Sequence, residues 1–226
     1  MPAASTQRYH AGSLLSVMSM PSLDALTLTA LDRRRSVPTR QLAAPGPDAA
    51  QLLRILQTAV RVPDHGKRVP FRFIRIAGDA RAALADAVVA RLREREPDAG
   101  PAVIEKLRTR FTVPPLTIAV VAKLGDDQKI PASERAATAS CVCLLLLQAA
   151  QAQGFGAQWT TGWPAYDRAF LEGVLGLSAD EQLAGIIAIG TPQVEVPERE
   201  RPDVALLLTD LRLQVGHGGA GGGRIA

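Results

Sequence analysis

The stretch that most constrains the fold is residues 136–147, where Ala136, Val142, Leu144, Leu146 and their neighbours are apolar or small on nearly every side of a helical pattern running over 133–153. A helix without a polar face must be covered all round. That places it at the centre of a fold and makes one side of it a candidate subunit interface. The apolar run itself is too short to cross a bilayer. Residues 14–20 are too short and too broken by serines to be a signal peptide.

Around this helix the pattern mixes helices and strands without strict alternation, so an α+β fold is expected rather than a doubly wound sheet. Residues 22–31 carry a helical stripe (Leu23, Ala25, Leu26, Ala30, Leu31) with Ser22 as N-cap, closed by Arg33, Arg34, Arg35 and Ser36 before Pro38. Asp48 caps a second helix whose buried face is Leu52, Leu53, Ile55, Leu56 and Ala59. Phe71, Phe73, Ile74 and Ile76 mark a strand stopped at Gly78, and Asp79 caps a long helix with Leu84, Val88, Val89 and Leu92 inward. A short amphipathic helix follows over 102–111. Residues 116–122 are β-branched and apolar, a strand buried on both faces. After the central helix, Gly154 and Gly156 supply a left-handed cap. Residues 157–162 read as a strand, 164–175 as a helix and 183–190 as a last strand.

Residues 1–20 read as a flexible arm, with Met18 and Met20 as alternative starts, 21–213 as one domain, and the Gly-rich 214–226 as a disordered tail. Residues 204–213 are expected to dock on that domain. With 226 residues, 47% hydrophobic and 21% charged, the chain can bury one large core. The net charge of +4 is spread over the surface, yet Arg8, Arg33 to Arg35, Arg61, Lys67, Arg68 and Arg72 crowd the first third. That crowding suits a phosphate-bearing small ligand. Five Phe, two Tyr and two Trp are too few and too dispersed for a nucleic-acid stacking platform.

Cys141 and Cys143 point to different sides of one helix, and His10, His65 and His217 lie far apart. Neither a disulfide nor a metal site is expected, and a reducing, cytoplasmic setting fits. No nucleophile elbow, phosphate loop or metalloprotease motif occurs. What remains are donors. Arg34, Arg35 and Ser36 follow a helix. Arg61 and His65 sit in a turn bounded by Pro63 and Pro70, with Asp64 as its brace. Thr160 and Thr161 follow the glycine cap. Donors without a nucleophile point to a held cofactor that supplies the chemistry.

Four motifs in register carry a resemblance: Arg34-Arg35-Ser36; Arg61, Pro63, Asp64 and His65 leading into Pro70-Phe71-Arg72-Phe73; Ala150 to Gly156 followed by Trp159; and Ile189-Gly190-Thr191-Pro192. Together they resemble the nitroreductase family, and within it the small YdjA-type NAD(P)H branch. The resemblance implies a three-layer sandwich with a central mixed, mostly antiparallel sheet flanked by helices, assembled as a homodimer with FMN at the interface. It implies that Arg34, Arg35, Ser36, Arg61, His65, Trp159, Thr160 and Thr161 bind FMN. It assigns Ala149, Ala150, Gln151, Ala152, Gln153 and Gly154 to NADH or NADPH. The implied activity is ping-pong hydride transfer through FMN to a nitroaromatic, quinone or similar small acceptor, with no nucleic-acid or membrane partner. A flavin-binding protein without turnover, or a specialised flavin-using dehydrogenase, shares the same motifs. The chain departs from the branch at Thr160, where the branch carries Arg.

Overall fold

The computed structural model describes residues 25–211 in the order α1 (Ala25–Asp32), β1 (Leu42–Ala43), α2 (Ala49–Ala59), β2 (Phe71–Ala77), α3 (Ala80–Arg95), α4 (Pro101–Thr112), β3 (Leu116–Lys123), α5 (Ala132–Ala152), β4 (Gly156–Thr160), α6 (Arg168–Gly173) and β5 (Glu181–Pro192). The chain divides into two units, Met1–Val196 and Pro197–Ala226, and all of these elements belong to the first. Within the second, Asp203 caps a short 3-10 turn, Val204–Leu206, and the side chains of Val204, Leu206, Leu207, Leu208 and Leu211 are exposed. The N-terminal arm, the Ser22 cap and the glycine-rich tail lie outside the described residues.

β5 is the hub of the sheet. It pairs with β3 on one flank, with β4 and with β1, while β2 closes the far edge on β3; every pairing among the described residues is antiparallel. β3 is buried on both faces as its composition requires. Its residues alternate between two cores: Ile118 and Val120 face α2 and α5, while Ala119 and Val121 face α3 and α6. Helices therefore cover both sides of one sheet, giving three layers. A register shift between Val120 and Val121 adds a bulge in β5. It lets Leu183 and Ile186 share one core although they are an odd number of residues apart.

Local chemistry explains most boundaries. Asp48 and Gln51 form a capping box at α2, with Asp48 Oδ1 accepting from the Gln51 N–H at 2.8 Å. β2 stops at Gly78, which turns with φ +58°. α5 ends where Gly154 takes φ +84° and the Phe155 N–H returns to the Ala150 carbonyl at 3.0 Å.

Several expectations need correction. Asp79 stands before α3, but its backbone is already helical (φ −65°, ψ −24°) and its side chain caps nothing. Residues 164–175 are not one helix: the chain makes a 3-10 turn at Trp163–Ala165, extends at Asp167, and starts α6 with the Asp167 carboxylate capping Phe170 N–H. β5 reaches two residues further at each end than the apolar run. Leu53 is exposed, and so are Ala30 and Leu31, the described residues of the α1 stripe, together with Leu28. Nor is α5 covered all round. Ala137, Cys141 and Leu144 form an exposed stripe along it, opposite the fully buried Ala139, Val142, Cys143 and Leu146. At 21 residues the helix is longer than its apolar run and long enough to cross a membrane, but half of its apolar window is buried in the protein, as in a core helix.

Candidate active site

Two groups of site residues stand at the two ends of α5. At its C-terminal end, the segment after α1 runs beside β4: the Val37 N–H donates to the Ala157 carbonyl at 3.0 Å and the Thr39 N–H to Gln158 Oε1 at 2.7 Å. This fixes Arg34, Arg35 and Ser36 just upstream. Arg34 Nη1 donates to Ser36 Oγ at 3.3 Å, and the Arg35 N–H to Gln151 Oε1 at 3.1 Å. The Arg35 guanidinium turns back onto the carbonyls of Asp32 and Arg34. Three basic residues at a helix end would be ordinary; here the sheet edge holds them.

Arg34 to Ser36 thus meet the 149–154 segment through Gln151. Within that segment Ala149 and Ala150 are buried in the core, Ala152 and Gly154 are exposed, and Gln153 Nε2 donates to the Gln51 carbonyl at 3.2 Å.

The turn between α2 and β2 lies at the other end of α5. Its brace is Asp64, whose two carboxylate oxygens accept from the Arg68 and Val69 N–H groups at 3.0 and 2.8 Å. The turn needs it: Gly66, Lys67 and Val69 have φ of +68°, +51° and +46°, a region unfavourable to the β-branched Val69. Arg68 Nε anchors the turn to Asp127 Oδ2 at 2.6 Å. Asp127 also accepts from the Ile130 and Lys129 N–H groups, and these bonds with Arg68 hold its carboxyl down to about 2. His65 Nδ1 meets Glu134 Oε2 at 2.7 Å in the first turn of α5, and Thr138 Oγ1 donates to the Pro63 carbonyl at 3.1 Å. Arg61 is exposed, and among the described residues its side chain has no partner.

Trp159 and Thr160 close β4 and Thr161 follows it; Thr160 and Thr161 share a cavity with Pro38 to Arg40, further along the segment that carries Arg34 to Ser36. Gly185 makes room for Trp159: a Cβ there would collide with Trp159 Nε1 and lie 3.0 Å from Cys143 Sγ. Thr160 Oγ1 donates to the Ile186 carbonyl at 3.3 Å. Thr160 and Thr161 open into a cavity of about 510 Å³ between β4, the Pro38 to Arg40 segment, α3 and α4. Arg110 of α4 forms part of its wall and donates through Nη2 to the Thr161 carbonyl.

Sequence reasoning missed this cavity. Its signal was present in α4, where Arg110 follows Val103 and Leu107 at positions i, i+4 and i+7, a cation on the apolar stripe. The structure joins Arg35 to Gln151 and sets Thr160 and Thr161 in a cavity with Pro38 to Arg40 of the same segment. It does not bring Arg61 and His65 there: Glu134 and Gln151 stand about 25 Å apart along α5 at ~1.5 Å per residue.

A nitroreductase family model matches residues 31–191. The chain is 34% identical over 177 residues to the Escherichia coli K12 protein named Putative NAD(P)H nitroreductase YdjA, covering 76% of this chain and 91% of that one. Its fold is similar to that of a nitroreductase-like family protein from Bacillus cereus (TM-score 0.70, 23% identity, 81% of this chain and 95% of that one). It is similar also to a Desulfovibrio desulfuricans protein named a putative nitroreductase in complex with FMN (TM-score 0.64, 22% identity, 84% and 99%). The chain belongs to the nitroreductase family of oxidoreductases.

Proposed function

We propose that the protein is an FMN-dependent NAD(P)H oxidoreductase that passes hydride to a nitroaromatic, quinone or similar electron-poor acceptor, and that it works as a cytoplasmic homodimer. One observation carries the reading. Arg34 to Ser36 and the Arg61 and His65 turn lie at opposite ends of α5, and an exposed apolar stripe of Ala137, Cys141 and Leu144 runs between them. A second protomer laid on that stripe brings the Arg61 and His65 turn of one chain to the Arg34 to Ser36 and Trp159 to Thr161 segments of the other. The exposed Leu28 and Leu31 of α1 add apolar surface to the same assembly.

The donor set fits the cofactor. Arg34, Arg35 and Ser36 offer guanidinium, hydroxyl and backbone donors suited to a phosphate and polyol chain. Among the described residues, no Asp or Glu lines the cavity beside Thr160 and Thr161. The D. desulfuricans neighbour, named for its complex with FMN, and the YdjA relative, named for NAD(P)H, support the same reading.

Bound FMN supplies the hydride chemistry. The chain's own residues hold and orient it: Gln151 fixes the Arg35 backbone, Gly185 seats Trp159, and Asp64 keeps the Arg61 and His65 turn in its strained shape. Arg61 or Lys67 places positive charge where the cofactor becomes more negative. The donor nucleotide meets the outward part of 149–154.

The deciding experiment is an absorption spectrum of the purified protein followed by anaerobic addition of NADH or NADPH. A flavin spectrum that bleaches supports the enzyme reading, and one that does not bleach leaves a flavin binder without turnover. A colourless protein that refuses added FMN sinks both.

A further inference from the structure

The polar loop between β3 and α5, residues 124–131, is tied down at both ends. At its start the buried Arg135 of α5 donates to the Lys123 and Leu124 carbonyls at 3.3 and 3.2 Å, and the Leu124 N–H donates to the Asp180 carbonyl at 2.9 Å. At its end Ile130 is buried. Between these points Asp127 Oδ1 accepts from the Lys129 and Ile130 N–H groups at 2.9 and 3.0 Å, which leaves Oδ2 to Arg68 Nε at 2.6 Å. The carboxylate is fixed by its own loop before Arg68 reaches it.

The segment that Asp127 grips needs an outside hold. Arg68 stands between Lys67 and Val69, two residues with positive φ, and follows Gly66, a third. Asp64 satisfies the Arg68 and Val69 N–H groups from within the turn and so shapes it without placing it. Placement of residues 64–69 falls to two side-chain pairs, His65 with Glu134 and Arg68 with Asp127. The first is open to solvent on both sides, with side chains 64% and 49% exposed, so water screens it. In the second the Asp127 side chain is only 16% exposed, and a short charge-assisted bond there is the stronger of the two. The Ile130 and Lys129 N–H groups hold the Asp127 carboxyl down to about 2, so the pair persists at neutral and mildly acidic pH.

We propose that Asp127 is a positioning residue of the cofactor site: by gripping Arg68 it fixes the turn that carries Arg61, His65 and Lys67 against bound FMN. The inference rests on the flavin reading. Asp127 acts through Arg68, not by contact with the cofactor, and the sign of its effect separates this role from others. Removing a distant carboxylate alone leaves the turn more positive, which tightens an anionic cofactor and raises its midpoint potential. Releasing the turn moves Arg61 and Lys67 away and does the reverse. A contact that only stabilises the fold changes Tm and neither of these quantities.

The test is fluorescence titration of FMN and spectroelectrochemistry on the native protein, on Asp127→Asn, and on the double variant that adds Arg68→Gln, with Tm measured alongside. Asparagine keeps an oxygen for the two backbone N–H groups, and the double variant removes the pair with no change in net charge. Both variants should bind FMN about tenfold more weakly and its reduced form about tenfold more weakly again, which lowers the midpoint potential by ~30 mV. Tighter binding or a higher potential in Asp127→Asn overturns the proposal. So does a lower Tm with native affinity and potential, which makes the pair structural only. Should Asp127→Asn not fold, the double variant decides: lower affinity and potential support the proposal, and native values overturn it. A native protein that takes no FMN refutes the flavin reading and this inference with it, whereas a native protein that takes FMN beside variants with unchanged values refutes this inference alone.

Discussion

The backbone N–H of Arg35 donates to Gln151 Oε1 at 3.1 Å, joining the segment after α1 to the last turn of α5 across 116 residues. With the Val37 and Thr39 bonds to β4, this side-chain amide sets where Arg34, Arg35 and Ser36 stand. Replacing Gln151 by Ala should cost about 1 kcal/mol of stability, the worth of one such bond, and weaken FMN several-fold. Fluorescence titration of FMN into both proteins checks it; unchanged affinity would separate the segment from the cofactor.

Acid should loosen the fold through two buried carboxylates. Arg72 Nε and Nη2 grip Glu181 at 2.6 and 2.7 Å and, with Ser178, hold its carboxyl down to about 2. Arg91, the Phe170 N–H and Arg95 do the same for Asp167, also to about 2. Both groups have depressed values in the folded state. Their contribution is therefore complete above the unfolded carboxylate range near ~4 and is lost as pH falls toward 2. Urea midpoints measured from pH 6 to pH 2 should drop steeply, and Glu181→Gln should flatten that drop while lowering stability at pH 6 by about 2 kcal/mol.

Gly185→Ala places a methyl where Trp159 Nε1 and Cys143 Sγ already stand. Overpacking of this kind costs about 1–3 kcal/mol, which for a chain of this size is a fall in Tm of roughly 2–12 °C. Trp159 must shift, so FMN occupancy of the purified protein should fall with it. A variant with the wild-type Tm and flavin content contradicts the packing described.

Leu144→Glu puts a charge in the middle of the exposed α5 stripe. Light scattering after gel filtration should show a dimer for the native chain and a monomer for the variant, and the variant should purify without FMN. A native monomer that holds FMN would refute the shared site.

Arg61→Ala should weaken FMN and lower its midpoint potential by about 30 mV, a tenfold change for a two-electron couple. Spectroelectrochemistry reads the second effect directly. If both values stay as in the native protein, Arg61 has no role at the cofactor.

Much of this was legible in the residues because local chemistry decided it. The β3 strand, the Asp48 cap, the Gly154 stop and the Asp64 brace each follow from short-range geometry. Three things were not legible, for three reasons. The break at Asp167 was hidden because Arg91 and Arg95, distant in sequence, stabilise an extended residue inside an apolar run. The exposed stripe on α5 was hidden because composition shows what a helix is made of, not which side the protomer leaves uncovered. The Arg110 cavity was hidden because its walls come from four separate segments, and only the misplaced charge on the α4 stripe marked it.

α5 acts as a ruler. With Glu134 on the His65 turn and Gln151 on the Arg35 segment, its residue count sets both the spacing of these anchors and their rotation about one axis. One residue inserted between them would turn the far anchor by about 100° and push it ~1.5 Å along. Substitution within the helix is therefore open to drift wherever the core permits, while its length is not. The spacing from Glu134 to Gln151 should be the least variable measurement among chains that share this architecture.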